Sequence, residues 1–276
     1  MEKFHFESIG RSVCILILSI LVIVLISCAT VPLTERKSLS LVSDQELNAL
    51  SYQQYADIIK HSKLSTDPAR IQIVKRVGER IATASGNFMT RTGRGAEIKD
   101  YRWEFNLIDD NKTVNAWCMP GGKIAVYSGI LPITQNEDGL AVVIGHEVAH
   151  AIARHANERM SQALLVRMGG MGLSLALGQQ PEATQQIFLS LYGIGSNVGF
   201  LLPYSRIQES EADHIGLILT AMAGYDPRAA VSLWQRMNQA SGARTLEILS
   251  THPAPASRIE NIKAEIPEAM KYYKAP

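Results

Sequence analysis

Residues 142–155 read VVIGHEVAHAIARH, with two histidines four positions apart and a glutamate directly after the first. On a helix of 3.6 residues per turn, His146 and His150 project from one face a turn apart, so their rings can converge on one ion. Glu147 stands about 100° round the helix, on the flank of that point. The spacing suits a catalytic zinc, which takes three protein ligands and leaves a fourth position for a water whose pKa falls to about 7. A carboxylate that is not itself a ligand can then take the water's proton as it attacks a carbonyl. His146 and His150 are therefore candidate ligands of one Zn2+ per chain, and Glu147 is the candidate general base. The flanking Ala141, Val142, Val143, Ile144, Val148, Ala149 and Ile152 would also suit a plain core helix, so the motif needs a third ligand from elsewhere.

Residues 208–213, QESEAD, supply one. On a helix Glu209 and Asp213 share a face, while Glu211 points about 160° away from their line. The pair permits a division of labour in which Glu209 binds the metal and Asp213, one turn on, accepts the free ring N–H of a zinc histidine and fixes its tautomer. Taken alone, such charges are as consistent with a solvated helix face. His155 and His214 flank the motifs but fall off their faces, and both read as structural.

The chain of 276 residues is 46% apolar and 19% charged, enough for one large domain or two small ones with a real core. Its formal net charge is +1, with no basic block and no interleaving of aromatic and basic residues, so the pattern speaks against nucleic acid as a partner. The N-terminus reads as a targeting segment: Lys3 and Arg11 precede the uncharged run 12–27, SVCILILSILVIVLIS, which suits a signal peptide better than a full membrane span. Leu25, Ile26, Ser27 and Cys28 close it in the manner of a bacterial lipobox, which would make Cys28 the lipidated first mature residue. The alternative is an uncleaved anchor with Cys28 as an ordinary residue. Of three cysteines, only Cys118 then remains as a mature thiol; no histidine lies beside it, and a packing role is expected. The expected organisation is a signal peptide over 1–27, a polar tether over 28–42 and one domain over 43–276.

Ser43 and Glu46 have capping-box spacing before a helix whose apolar face carries Leu47, Leu50, Tyr55, Ile58 and Ile59. Asp67 and Pro68 open a second helix through Ile71, Val74, Val77 and Ile81. Residues 101–109 alternate Tyr101, Trp103, Phe105 and Leu107 as a half-buried strand, and 113–131 predict two short strands around a turn at Pro120, Gly121 and Gly122. The motif helix starts near Asn136. Three helices close the chain, the second opening at Asp226 and Pro227 and the third following Pro255. The fold class is α+β: mostly helical, with a small antiparallel sheet, an H-E-x-x-H helix and an E-x-x-x-D helix. Residues 161–203 are apolar and glycine-rich, with three readings open: helices that gate the site, core helices weakened by glycine, or contact with a membrane surface. No 34-residue repeat is present.

Taken together, HEVAH, SRIQESEAD, NAWCMPGGKIAVYSGIL and THPAPASRIENI, spread over residues 40–265, resemble the HtpX-like gluzincin zinc metallopeptidase family, most closely its BepA/LoiP-like periplasmic lipoprotein branch. The resemblance departs from that branch in lacking a helical-repeat domain and from HtpX itself in lacking clear internal spans. It implies His146, His150 and Glu209 as zinc ligands, Glu147 as general base and Asp213 as the partner of a ligand histidine. It further implies a sheet edge at Val114–Trp117, including Asn115 and Ala116, on which a substrate strand pairs; the alternative is an inner strand of a hairpin. His252 could steady the oxyanion or occupy the water position as a reversible fourth ligand, against a plain structural histidine before Pro253. The expected function is a membrane-anchored zinc endopeptidase acting on unfolded or misassembled cell-envelope proteins. It would face the periplasm, on the outer membrane since Ala29 rather than aspartate follows Cys28. The alternatives are a zinc-containing chaperone or scaffold lipoprotein with little proteolysis, and a zinc-stabilised structural lipoprotein, which the unligated Glu147 argues against. The oligomeric state has no signal in the sequence.

Overall fold

The computed structural model of the chain describes residues 28–168, Thr184, 205–241, 246–253 and 257–274. The predicted leader over 1–27 and most of the glycine-rich segment 161–203 lie outside the described residues.

A hairpin of β1 (Cys28–Thr30) and β2 (Lys37–Leu39) opens the described chain, antiparallel with Cys28 opposite Leu39. The stretch expected as a polar tether is thus folded onto the body. Val31 and Val42 are buried, and Arg36 reaches two buried glutamates, Glu158 and Glu211. Pro32 and the charged run Glu35, Arg36 and Lys37 gave the segment the look of a linker; Arg36 and Thr34 both hold its turn to Glu211.

Helix α1 (Asp44–His61) is capped by Ser43, whose hydroxyl accepts the Glu46 N–H, and α2 (Pro68–Arg91) by Asp67, whose carboxylate accepts from Ala69 and Arg70 with Pro68 in the first turn. Then come β3 (Glu104–Ile108), β4 (Ala116–Met119) and β5 (Lys123–Tyr127) in the spatial order β3-β5-β4. The sheet is mixed, which corrects the expected antiparallel arrangement: β4 pairs β5 antiparallel and β3 pairs β5 parallel. The tight turn at Gly121 and Gly122, both at positive φ, fixes only the β4/β5 direction. Strand β5 then returns between β3 and β4, where it runs alongside β3 and leaves β4 at the edge.

After the short turn α3 (Leu131–Thr134), α4 (Glu137–Ile152) carries the histidine motif behind an Asn136 cap that accepts the Gly139 N–H. Every residue of α4 from Gly139 to Ile152 is buried. Helix α5 (His155–Met168) follows, with Met160 and Leu164 packed beside Leu47 and Tyr55 of α1. Helix α6 (Arg206–Met222) begins in a capping box of Ser205 and Gln208, and carries Glu209, Glu211 and Asp213, all buried. Helices α7 (Ala229–Ser241), α8 (Glu247–Thr251) and α9 (Arg258–Ala269) complete the body. The main core gathers Val77, Ile81, Ile144, Val148, Ile215 and Ile218 from α2, α4 and α6. Each such buried side chain contributes about 1.5–3 kcal/mol.

The contact of α4 with α6 sets the site. A Cβ on Gly216 would stand 2.9 Å from the His146 backbone nitrogen, and one on Gly145 2.8 Å from Thr220 Oγ1. Glycine at both positions lets the helices approach until their polar faces share one volume. No helix among the described residues is long and apolar enough to cross a membrane.

Candidate metal centre

Helix α4 presents His146 and His150 one turn apart, with Nε2 atoms 3.0 Å from one another. Helix α6 brings Glu209 to them: its Oε2 lies 3.5 Å from His146 Nε2 and its Oε1 3.3 Å from His150 Nε2. His252, following α8, adds Nδ1 at 3.2 Å from His146 Nε2 and 2.9 Å from Glu209 Oε1. One donor atom from each of these four buried residues lies within 4.8 Å of the others. Three imidazoles and one carboxylate, buried and close together, are a donor set that suits zinc.

The surrounding groups hold those donors. His146 Nδ1 is 3.0 Å from Asp213 Oδ1, so its proton sits on the side away from the cluster. Burial alone would lower the His146 pKa, but Glu209 and Asp213 outweigh it and push it up to about 9 in the metal-free protein. Burial holds the His150 imidazole well below the usual histidine range. For Glu209, burial works upward and is outweighed by the imidazoles of His252 and His146, which keep the carboxylate ionised. Glu147 differs: burial raises it above the ordinary carboxylate range against the pull of His252 and His146. Among the described residues its Oε1 has no hydrogen-bond partner, and His252 Nε2 is 3.4 Å away.

Arg258, at the start of α9, was not singled out from the sequence. It is buried against the Trp234 ring, 3.7 Å from its centroid. Its Nη1 donates to Glu209 Oε2 at 2.7 Å, while Nε and Nη2 donate to Asp213 at 2.8 and 2.7 Å. One guanidinium fork thus ties a ligand carboxylate to the carboxylate that orients a ligand histidine. The signal available was its place in THPAPASRIE, six residues after His252.

His155, read as structural, and Glu211 lie in contact with the cluster. His155 Nδ1 is 2.8 Å from His150 Nδ1, and its Nε2 is 3.1 Å from Glu211 Oε2. His214 stays outside the cluster, 3.4 Å from Glu268. Cys118 is a buried free thiol, raised well above its ordinary pKa by burial. Ala116 opens the edge strand β4, and Asn115 precedes it; the Asn115 side chain accepts the Ala116 N–H at 2.9 Å, and its carbonyl accepts from Tyr127 of β5. Cys28 is the first residue of β1, far along the chain from these groups.

An H-E-x-x-H helix packed on an E-x-x-x-D helix, closing a His-His-Glu donor set with a spare buried carboxylate, is the zinc site of a gluzincin-type metallopeptidase domain. Residues 68–266 match the model of peptidase family M48, and the chain belongs to that family of zinc metallopeptidases. It is similar to the mitochondrial metalloendopeptidase OMA1 of Schizosaccharomyces pombe, 40% identical over 203 residues that cover 71% of this chain and 53% of the relative. It is 30% identical over 251 residues to the mitochondrial metalloendopeptidase OMA1 of Homo sapiens, covering 87% of this chain and 46% of the relative. It is 28% identical over 206 residues to the beta-barrel assembly-enhancing protease of Escherichia coli, covering 72% and 39%. The chain therefore spans about half the length of the curated relatives it matches, and those relatives are mitochondrial as well as bacterial.

Proposed function

We propose that the protein is a membrane-anchored zinc endopeptidase of the bacterial cell envelope that cuts unfolded or misassembled proteins. The observation that carries the reaction is Glu147: buried beside the donor cluster and outside the ligand set, with Oε1 facing His252 Nε2 at 3.4 Å. His146, His150 and Glu209 would hold the zinc, which would supply Lewis-acid polarisation of a scissile carbonyl and a more acidic water. Glu147 takes the proton as the water oxygen bonds to the carbonyl carbon. It passes that proton to the amine nitrogen as the C–N bond breaks. Burial raises the Glu147 carboxyl above its ordinary value, the direction that favours holding the proton until it is returned. Asp213 keeps the His146 lone pair on Nε2, and Arg258 holds Asp213 and Glu209 in register.

Substrate binding is assigned to the edge strand. Asn115 and Trp117 face β5 through their backbone groups, so those of Ala116 face the other side, where its N–H is held by the Asn115 side chain and an incoming extended peptide would take over that bond. Pairing through backbone alone makes little demand on sequence, as unfolded clients require. The name of the E. coli relative ties that protein to β-barrel assembly, and envelope proteins are the client class proposed here.

His252 reads best as the reversible fourth donor, because its Nδ1 lies inside the cluster rather than over an open carbonyl position. A fourth protein donor closes the site and makes the resting protein latent. This placement also favours, as a second reading, a holding activity on unfolded clients with little cleavage. On the first reading, His252→Ala raises cleavage of an unfolded protein such as casein several-fold; a variant with no more cleavage than wild type contradicts latency through this residue.

The membrane assignment rests on Lys3, Arg11, the uncharged run 12–27 and Cys28. Labelled palmitate should enter the wild-type chain and not Cys28→Ser. Ala29 after the cysteine favours the outer membrane, which density fractionation tests.

A further inference from the structure

The two ligand histidines are supported unequally. His146 donates from Nδ1 to a carboxylate directly, whereas His150 faces a second histidine. We infer that His155 and Glu211 are positioning residues for His150, and that Arg36 makes the N-terminal hairpin part of the metal centre. The inference rests on the zinc-site reading and concerns only how one ligand is held.

The argument is a proton count along a chain of contacts. An ionised carboxylate only accepts hydrogen bonds, so Glu211 Oε2, 3.1 Å from His155 Nε2, requires the proton of a neutral His155 to be on Nε2. The His155 Nδ1 then carries a lone pair. It faces His150 Nδ1 at 2.8 Å, and the one proton between them belongs to His150. The Nε2 of His150 is left with its lone pair aimed at Glu209 and His146, where a metal would sit. Reversing either ring would place a proton on the ligand atom.

Glu211 is itself held from the hairpin turn. Arg36 donates from Nε to Oε1 and from Nη2 to Oε2, both at 2.8 Å, and Thr34 Oγ1 donates to Oε1 at 2.7 Å. The same guanidinium donates twice to Glu158, which also accepts from Gln208 Nε2 at 2.7 Å. Arg36 touches no ligand. It fixes the direction and charge of the carboxylate that sets the His155 proton.

The test is zinc affinity of the full-length chain in detergent, by competition with a colorimetric chelator, beside the thermal midpoint of the metal-free protein. His155→Leu removes the acceptor for the His150 proton, and His155→Gln restores one through its amide carbonyl. The expected result is a zinc dissociation constant raised about 10–100-fold for His155→Leu. His155→Gln should stay within a few-fold of wild type, and Arg36→Ala should lie between the two; the metal-free midpoint should stay close to wild type in His155→Gln and fall in Arg36→Ala, which takes the cation from two buried glutamates. Equal affinity of the Leu and Gln variants overturns the relay, and unchanged affinity in Arg36→Ala overturns the part played by the hairpin. If His155→Leu fails to fold, the ring nitrogen resonances of His150 in the wild-type chain decide: a proton on Nδ1 is expected, and one on Nε2 overturns the inference. A wild-type chain that takes up no zinc would instead overturn the metal-site reading itself.

Discussion

Arg258 decides how much negative charge the site can hold. Glu209 and Asp213 are both buried, and without a cation between them each would carry its desolvation cost against the other's repulsion. Burial works to raise Asp213, and the Arg258 guanidinium outweighs it and holds the group below its ordinary value. Removing one partner of such a buried set destabilises by about 3–5 kcal/mol. Arg258→Ala is therefore expected to lower the unfolding free energy of the metal-free protein by about that amount, measured in urea, and Arg258→Lys by less, since a point charge cannot fork to two carboxylates. An alanine variant as stable as wild type would contradict this account. Its role was hidden in the sequence because an isolated arginine on an amphipathic helix reads as surface. The spacing of His146, Glu147 and His150, and of Glu209 and Asp213, was legible because one turn of helix fixes it. Glu211, correctly placed on the opposite side of α6, had no readable partner, since Arg36 and His155 lie far away in the chain.

At the scale of elements, the site depends on how closely α4 and α6 approach. Gly216 lies against the backbone of His146, and a methyl group there must push the helices apart. Overpacking of this kind costs about 1–3 kcal/mol. Gly216→Ala should lower the thermal midpoint and weaken zinc binding together, because the displaced backbone is that of a ligand. Loss of stability with zinc affinity intact would show that the site tolerates the shift. Two helices were readable from the caps Ser43 and Asp67, and the motif helix from its start near Asn136; Ser205, which also bonds the turn it precedes, was not read as a cap. Strand direction was not, because alternation in β3 marks a buried face without naming the neighbour. The hairpin turn gave β4 against β5, and the position of β3 beside β5 followed from tertiary packing.

Across the whole molecule, stability depends on pH through groups far from the edge strand as well as at the metal. Burial raises Glu265 of α9 to about 7, helped by Asp213 and Glu268, and its Oε2 is buried without a hydrogen-bond partner. The unfolded value is about 4.3. A raised folded pKa means that this group's contribution is fully present below about pH 4.3 and is lost as pH rises through about 7. Glu265→Gln should accordingly raise the thermal midpoint at pH 8 and change it little at pH 5, in thermal scans at the two values. The same increment at both would contradict the assignment. The folding of residues 28–42 onto the body has a similar whole-molecule origin: Arg36 and the Val42 carbonyl find Glu158, Glu211 and Asn157 more than a hundred residues on. Sequence reading weighs local pattern, and there Pro32 and the charged run Glu35, Arg36 and Lys37 interrupt the apolar residues.

The reaction, the metal and the role of Glu147 meet in one paired measurement: zinc content and cleavage of casein by the wild-type chain and by Glu147→Gln. One zinc per chain in both, with cleavage in the wild type alone, is the result expected of a base that is not a ligand. Zinc in both with equal cleavage would contradict the mechanism, and loss of zinc from Glu147→Gln would move Glu147 into the ligand set.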